Sequence, residues 1–136
     1  MPGISYVAVV TAAGVAFVVG AVWYTPLLFG NAYLTLRGLD PSSAELKPPA
    51  GEMLGEFLRY LVIAYVLARF VVRLGIAGWL EALQLGFWLW FGFQGMLILG
   101  AVLHEGMPLK LYAIHAGDAL VKTLFMAVIL GVWHAR

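Results

Sequence analysis

No Asp, Glu, Lys or Arg precedes Arg37, and none lies between Glu81 and Glu105. Runs of that length cannot be covered by the polar surface of a water-soluble globule. Crossing a hydrocarbon core takes about 20 predominantly apolar residues, and four segments meet or approach that length: 4–24, 55–74, 80–103 and 109–133. Whole-chain composition agrees, being 63% hydrophobic and 11% charged over 136 residues, whereas soluble domains carry about 25% charged residues. The expected fold is all-α: an integral membrane four-helix bundle in a single domain, 1–136. A polar loop over 37–52 contains Pro41, Pro48 and Pro49, which exclude a helix there. Just before it, "TPLLFGNAYLTLRG" suggests a short interfacial helix after the first span.

The apolar start lacks the basic residues that open a secretory signal, so it reads as a retained transmembrane helix. The segment 55–74 is the least apolar, since Glu56, Arg59, Arg69 and Arg73 leave only "YLVIAYVLA" uninterrupted. A helix lying on the membrane surface is its alternative. The connections "LGIAG" and "HEGMP" are tight, which predicts that consecutive helices are antiparallel neighbours. Lys and Arg are balanced between the two sides. The Arg69/Arg73 pair beside a short loop favours both termini in the cytoplasm.

Several function classes are excluded or unsupported. The formal net charge of +1 offers no basic surface for nucleic acid. There is no cysteine for a disulfide, a thiolate nucleophile or a zinc site. His104, Glu105 and His115 have no convincing metal-ligand spacing. No nucleophile–base pair, phosphate loop or catalytic carboxylate pair stands out, so neither an enzyme nor a bound cofactor is expected.

What remains is polar chemistry inside apolar segments. His115, Asp118 and Lys122 fall within about 60° of one another on the last helix, with Tyr112 beside them. An isolated charge at mid-membrane costs about 2.5–3.5 kcal/mol on insertion scales. Asp four residues before Lys is the favourable order for mutual neutralisation. An interior lined by Glu56, Arg59, Gln94, His115, Asp118 and Lys122 is the economical arrangement, with Arg59 reaching Asp118 or snorkelling outward. Such a cluster is either interhelical glue or the site of a small transporter or permeation protein acting on an unknown small molecule or ion. Its centre would then be Asp118, with Lys122 and Arg59 setting the charge and His115 assisting proton movement.

Ala8, Ala12, Ala16 and Gly20 recur every four residues in the first helix. Small residues let two backbones approach within lipid, so this stripe is a packing face, within the monomer or between protomers of a homo-oligomer. At the end of that helix, "GAVWYTPLLFGNAYLTLRGL" joins a Trp-Tyr-x-Pro run to Phe-Gly. With Gly20, Trp23, Tyr24, Pro26, Phe29 and Gly30, and a last helix carrying His115 and Trp133, the chain resembles the small bacterial membrane proteins grouped as domain of unknown function 1761. Where that pattern expects a tryptophan after Phe-Gly, this chain has Tyr33. The resemblance implies a four-helix protein of the bacterial inner membrane and supplies no activity. Physically, Trp23 and Tyr24 suit interfacial anchoring and Pro26 ends the helix. The functional alternative makes "WYTPLLFG" a lid over the polar cluster.

Overall fold

The computed structural model describes residues 3–25, 28–38 and 50–135. Within them the chain is helical: α1 (Tyr6–Trp23), α2 (Gly30–Leu36), α3 (Ala50–Arg73), α4 (Trp79–Leu89), a π turn (Trp90–Gln94), α5 (Gly95–Glu105) and α6 (Leu109–His134). Three helices are long and apolar enough to cross a membrane: α1, the continuous rod from α4 through α5, and α6. This is the make-up of a membrane protein. Helix α3 starts at Ala50, five residues earlier than its apolar run implies, and is outside that set because of its charges. Pro26 and most of the polar loop, 39–49, lie outside the described residues.

The helix α6 is the hub. It packs on α1, on α3 and along α4, the π turn and α5, and α2 touches its first half. Helices α1 and α6 run antiparallel. Ser5 donates its backbone N–H to His134 Nε2 at 2.9 Å at one end, and Trp23 donates to the Ile114 carbonyl at 3.1 Å at the other. The His134 Nδ1 lies 2.8 Å from the Leu130 carbonyl. The imidazole therefore carries its proton on Nδ1 and accepts at Nε2, satisfying one of the orphan N–H groups at the start of α1. Helix α3 runs back along α1, with Tyr65 stacked on Tyr6 and Phe57 against Phe17.

Close backbone approach needs small side chains, and the stripe supplies them. Ala8, Ala12 and Ala16 have no exposed surface within the single chain. The stripe is thus consumed by α3 and α6 and is not available to a second protomer. The α4 helix uses the same device: a Cβ on Gly86 would lie 3.0 Å from Ala127 Cβ, and one on Gly131 would lie 2.4 Å from Ala82 Cβ.

A tight connection does not make α3 and α4 neighbours. After Arg73 the chain turns through Gly75 and Gly78, both with positive φ. The α4–α5 rod then packs against α6 and not appreciably against α1 or α3. The expectation that consecutive helices pair fails here because the apolar face of α6 takes the rod instead. The π turn helps maintain that seam. Each four-residue step overshoots a helical turn by about 40°. The extra residue in the π turn takes back much of that drift, so Ala82, Gly86, Trp90 and Gln94 all keep facing α6.

The seam makes a prediction. Gly131→Ala and Gly100→Ala each gain about 0.5–1 kcal/mol of helix propensity, but a Cβ at Gly100 meets nothing within 4 Å. Overpacking at Gly131 costs about 1–3 kcal/mol. Reversible denaturation in mixed micelles, followed by far-UV circular dichroism, should find Gly131→Ala destabilised and Gly100→Ala unchanged or stabilised.

Candidate functional site

Because the rod and α3 both lean on α6 without meeting each other, a cleft is left between them. It has a volume of about 950 Å³, with α6 as its floor, α3 and the α5 end of the rod as its walls, and α2 across one end. Its floor is the polar face of α6: His115, Asp118, Lys122 and Thr123 all line it.

Asp118 and Lys122 are buried, with 7% and 5% of their surface exposed. The Lys122 ammonium donates to Asp118 Oδ2 at 2.7 Å and to the Tyr60 hydroxyl across the helix interface. It also lies 4.5 Å from the centroid of the Tyr60 ring, a cation–π approach that suits a desolvated ammonium. Tyr60 in turn donates to Glu56 Oε2 at 3.0 Å, and Glu56 holds Arg59 through its other oxygen. A continuous chain, Arg59–Glu56–Tyr60–Lys122–Asp118, thus runs from the exposed part of α3 to the interior of α6.

Room for the ammonium comes from α1. A Cβ on Gly20 would lie 2.8 Å from Lys122 Nζ. The fourth residue of the small stripe therefore has a second task, opening a pocket for the lysine head. At the far end of the chain one atom is left over: Asp118 Oδ1 is buried without a hydrogen-bond partner among the described residues. A carboxylate oxygen removed from water and unpaired is costly.

Of the two placements open to Arg59, the structure has the outward one: its side chain is 62% exposed and pairs with Glu56 one turn away, and it does not reach Asp118. The α3 residue that does reach α6 is Tyr60, which sequence reasoning missed. The signal was present, since Tyr60 lies one turn beyond Glu56 and faces the same way. Gln94 does point into the cleft, where it accepts from the Thr123 hydroxyl at 2.7 Å; Thr123 was also missed. Tyr112 does not join the ion pair but donates to the Gly95 carbonyl at 3.1 Å.

Trp23 and Tyr24 of the "WYTPLLFG" stretch are turned toward α6. The Trp23 indole is held by Ile114 and by Phe29, whose ring lies 4.7 Å away, and fits because Gly117 lacks a Cβ, which would sit 3.1 Å from it. The Tyr24 hydroxyl and His115 Nδ1 lie 2.9 Å apart, and Tyr33 meets the imidazole edge-on at 5.4 Å. Tyr33 also accepts from Arg37 at 2.8 Å. Trp23 and Tyr24 therefore brace α6, in place of the outward anchoring their residue types suggest. Gly30 is required by the turn itself, where a Cβ would lie 2.3 Å from the Tyr24 carbonyl oxygen.

Residues 7–131 match a family described as protein of unknown function (DUF1761). The chain belongs to that family. No curated protein and no solved structure matches it.

The ion pair yields a thermodynamic test. Asp118→Ala alone leaves a buried ammonium uncompensated and should cost about 3–5 kcal/mol. Adding Lys122→Met should restore most of that loss, because the pair together contributes little net stability. A double-mutant cycle in detergent micelles measures both.

Proposed function

We propose that this DUF1761 protein is a small proton-coupled transporter or permeation protein of the bacterial inner membrane, working by binding and translocation and not by catalysis. The observation that carries the reading is the buried Asp118–Lys122 pair on the floor of a 950 Å³ cleft, at the inner end of a hydrogen-bonded chain whose outer end is exposed. Ionisable groups at this depth are functional hypotheses by default. Glu56, Tyr60, Lys122 and Asp118 each have a proton to give or a lone pair to take one, so adjacent groups can exchange protons. His115, in the same cleft, is held in place by Tyr24.

A four-span bundle is the topology we assign. If α1, the α4–α5 rod and α6 all cross, the chain must return between Trp23 and Trp79. The segment antiparallel to α1 along its length is α3. Its charges favour this arrangement, since Glu56 and Arg59 neutralise each other and Arg69 and Arg73 lie at the opposite end. Arg69 and Arg73 share that end with Ser5 and His134, which supports cytoplasmic termini. Helix α2 would then lie at headgroup level on the other side. A homo-oligomer would use the exposed aromatic face of the rod, where Trp88 and Phe93 stand outward.

A second reading has its own support. The Tyr60–Lys122 bond ties α3 to α6, as a purely structural or accessory protein would need. The two readings part in a flux assay. Proteoliposomes enclosing a pH-sensitive dye are given a potassium diffusion potential, and the internal pH is followed. Wild-type protein should acidify the lumen well above the protein-free rate, and Asp118→Asn should return it to that baseline with its helical circular dichroism intact. Flux indistinguishable between the two proteins would leave only the structural role.

A further inference from the structure

The cleft stops partway through the bundle. Ile63 on α3 and Met126 on α6 are the last residues of their helices to line it, among the described residues. Its other end carries Arg37, Glu52 and Arg59, all exposed, and side chains so charged call for water at that mouth. Past Met126, toward Ser5 and His134, the interior is closed. Leu67 and Val71 on α3, Leu130 on α6 and Val9 on α1 belong to one buried apolar cluster with Met126. Counted from Met126 to His134 at 1.5 Å per residue, this plug is about 12 Å long, against about 30 Å for a hydrocarbon core. An apolar constriction bars ions and water without carrying any charge.

The helices around the plug are fastened unequally. Helices α1 and α6 are tied at both ends, by Ser5 to His134 and by Trp23 to Ile114. The rod is tied to α6 through Trp90, Tyr112 and Thr123. Helix α3 has less: among the described residues, the Tyr60–Lys122 bond is its only hydrogen bond to α1 or α6. Beyond Tyr60 it meets its neighbours through Ala64, Leu67, Ala68 and Val71 and through the Tyr65–Tyr6 stack. Apolar contacts of that kind cost little to exchange for lipid. The chain then leaves α3 through Gly75 and Gly78, both at positive φ, where a connection absorbs rotation readily.

We propose that the cleft is a half-channel open on the α2 side and that α3 is its gate. Pivoting at Tyr60, the helix swings its far half off α6 and parts Leu67 and Val71 from Met126 and Leu130. That movement exposes the Asp118–Lys122 pair to the opposite side of the membrane. The structure is then the state open toward α2. The proposal rests on the transport reading of the cleft and assigns its moving part.

Pulsed electron paramagnetic resonance on the full-length, cysteine-free chain in lipid vesicles tests the gate. Spin labels replacing the exposed Arg69 and Val132 report the ends of α3 and α6, and labels at Val7 and Val132 report the tied α1–α6 pair. Two Arg69–Val132 distances several ångströms apart are expected beside a single Val7–Val132 distance. Tyr60→Phe keeps a ring for Lys122 but removes the pivot's hydroxyl, and should shift the population toward the longer distance. A second distance in wild type, or one brought out by Tyr60→Phe, supports the gate. A single Arg69–Val132 distance in both proteins, or an equal spread in the α1–α6 pair, overturns it.

Sidedness is read with a membrane-impermeant thiol reagent, using Thr35→Cys and Arg73→Cys to mark the two sides. Ile63→Cys should react from the Thr35 side, whereas Leu67→Cys, one turn farther along α3, should not. Equal reaction of both from that side, or no reaction of Ile63→Cys there, overturns the half-channel. A mobile α3 without proton flux would sink the transport reading and leave the gate standing; flux through a protein with a rigid α3 would do the reverse.

Discussion

The fold is organised around a buried lysine. Lys122 sits near the middle of a 26-residue helix, and its ammonium is surrounded on three sides by atoms from three helices. Asp118 on the same helix supplies the counter-charge, Tyr60 on α3 supplies an oxygen and a ring face, and Gly20 on α1 supplies space. Remove any one and the others lose their reason. Without Gly20 the ammonium has no pocket, and without Tyr60 it has no second acceptor. In lipid, where apolar area does little to join helices, this shared polar site and the close contacts of Ala8, Ala12 and Ala16 give the α1–α3–α6 core its register.

The α4–α5 rod belongs to the assembly differently. It has no ion pair with α6; glycines and alanines hold it close, and single hydrogen bonds from Trp90 to the Ala116 carbonyl and from Thr123 to Gln94 pin it. A helix attached along one seam, with its aromatic face outward, leaves the other side of the α6 polar stripe uncovered. The cleft is the consequence. Aromatic contacts close one end of it: Phe29 packs on Trp23, and Tyr24 and Tyr33 meet His115.

Much of this was legible in the residues, and the limits have physical causes. Asp118 and Lys122 announce their pairing by a four-residue spacing within one helix, where geometry is nearly fixed by the backbone. The alanine stripe is legible for the same reason. Contacts between helices are not, because a periodic pattern tells which face is polar and not which neighbour it meets. The pattern therefore left Arg59 either on Asp118 or turned outward, and did not mark Tyr60, shorter and uncharged, as the residue turned toward α6. The short loop after α3 implied a neighbouring pair, but loop length limits distance only at the loop, and the rod departs from α3 beyond it. Trp23 was read as a membrane anchor because tryptophan is common at interfaces; a glycine ninety-four positions later makes an internal socket for it.

The most direct measurement asks which solvent the two faces of α6 meet. The chain has no cysteine, so single cysteines can be introduced at Ala119, which lines the cleft, and at Phe125, which is exposed on the outer side. Spin labels at each are compared for collision with a water-soluble nickel chelate and with oxygen in lipid vesicles. An inward polar face predicts nickel accessibility at Ala119 and oxygen-dominated relaxation at Phe125. Oxygen-dominated relaxation at both positions would contradict it, since the buried ion pair would then face acyl chains.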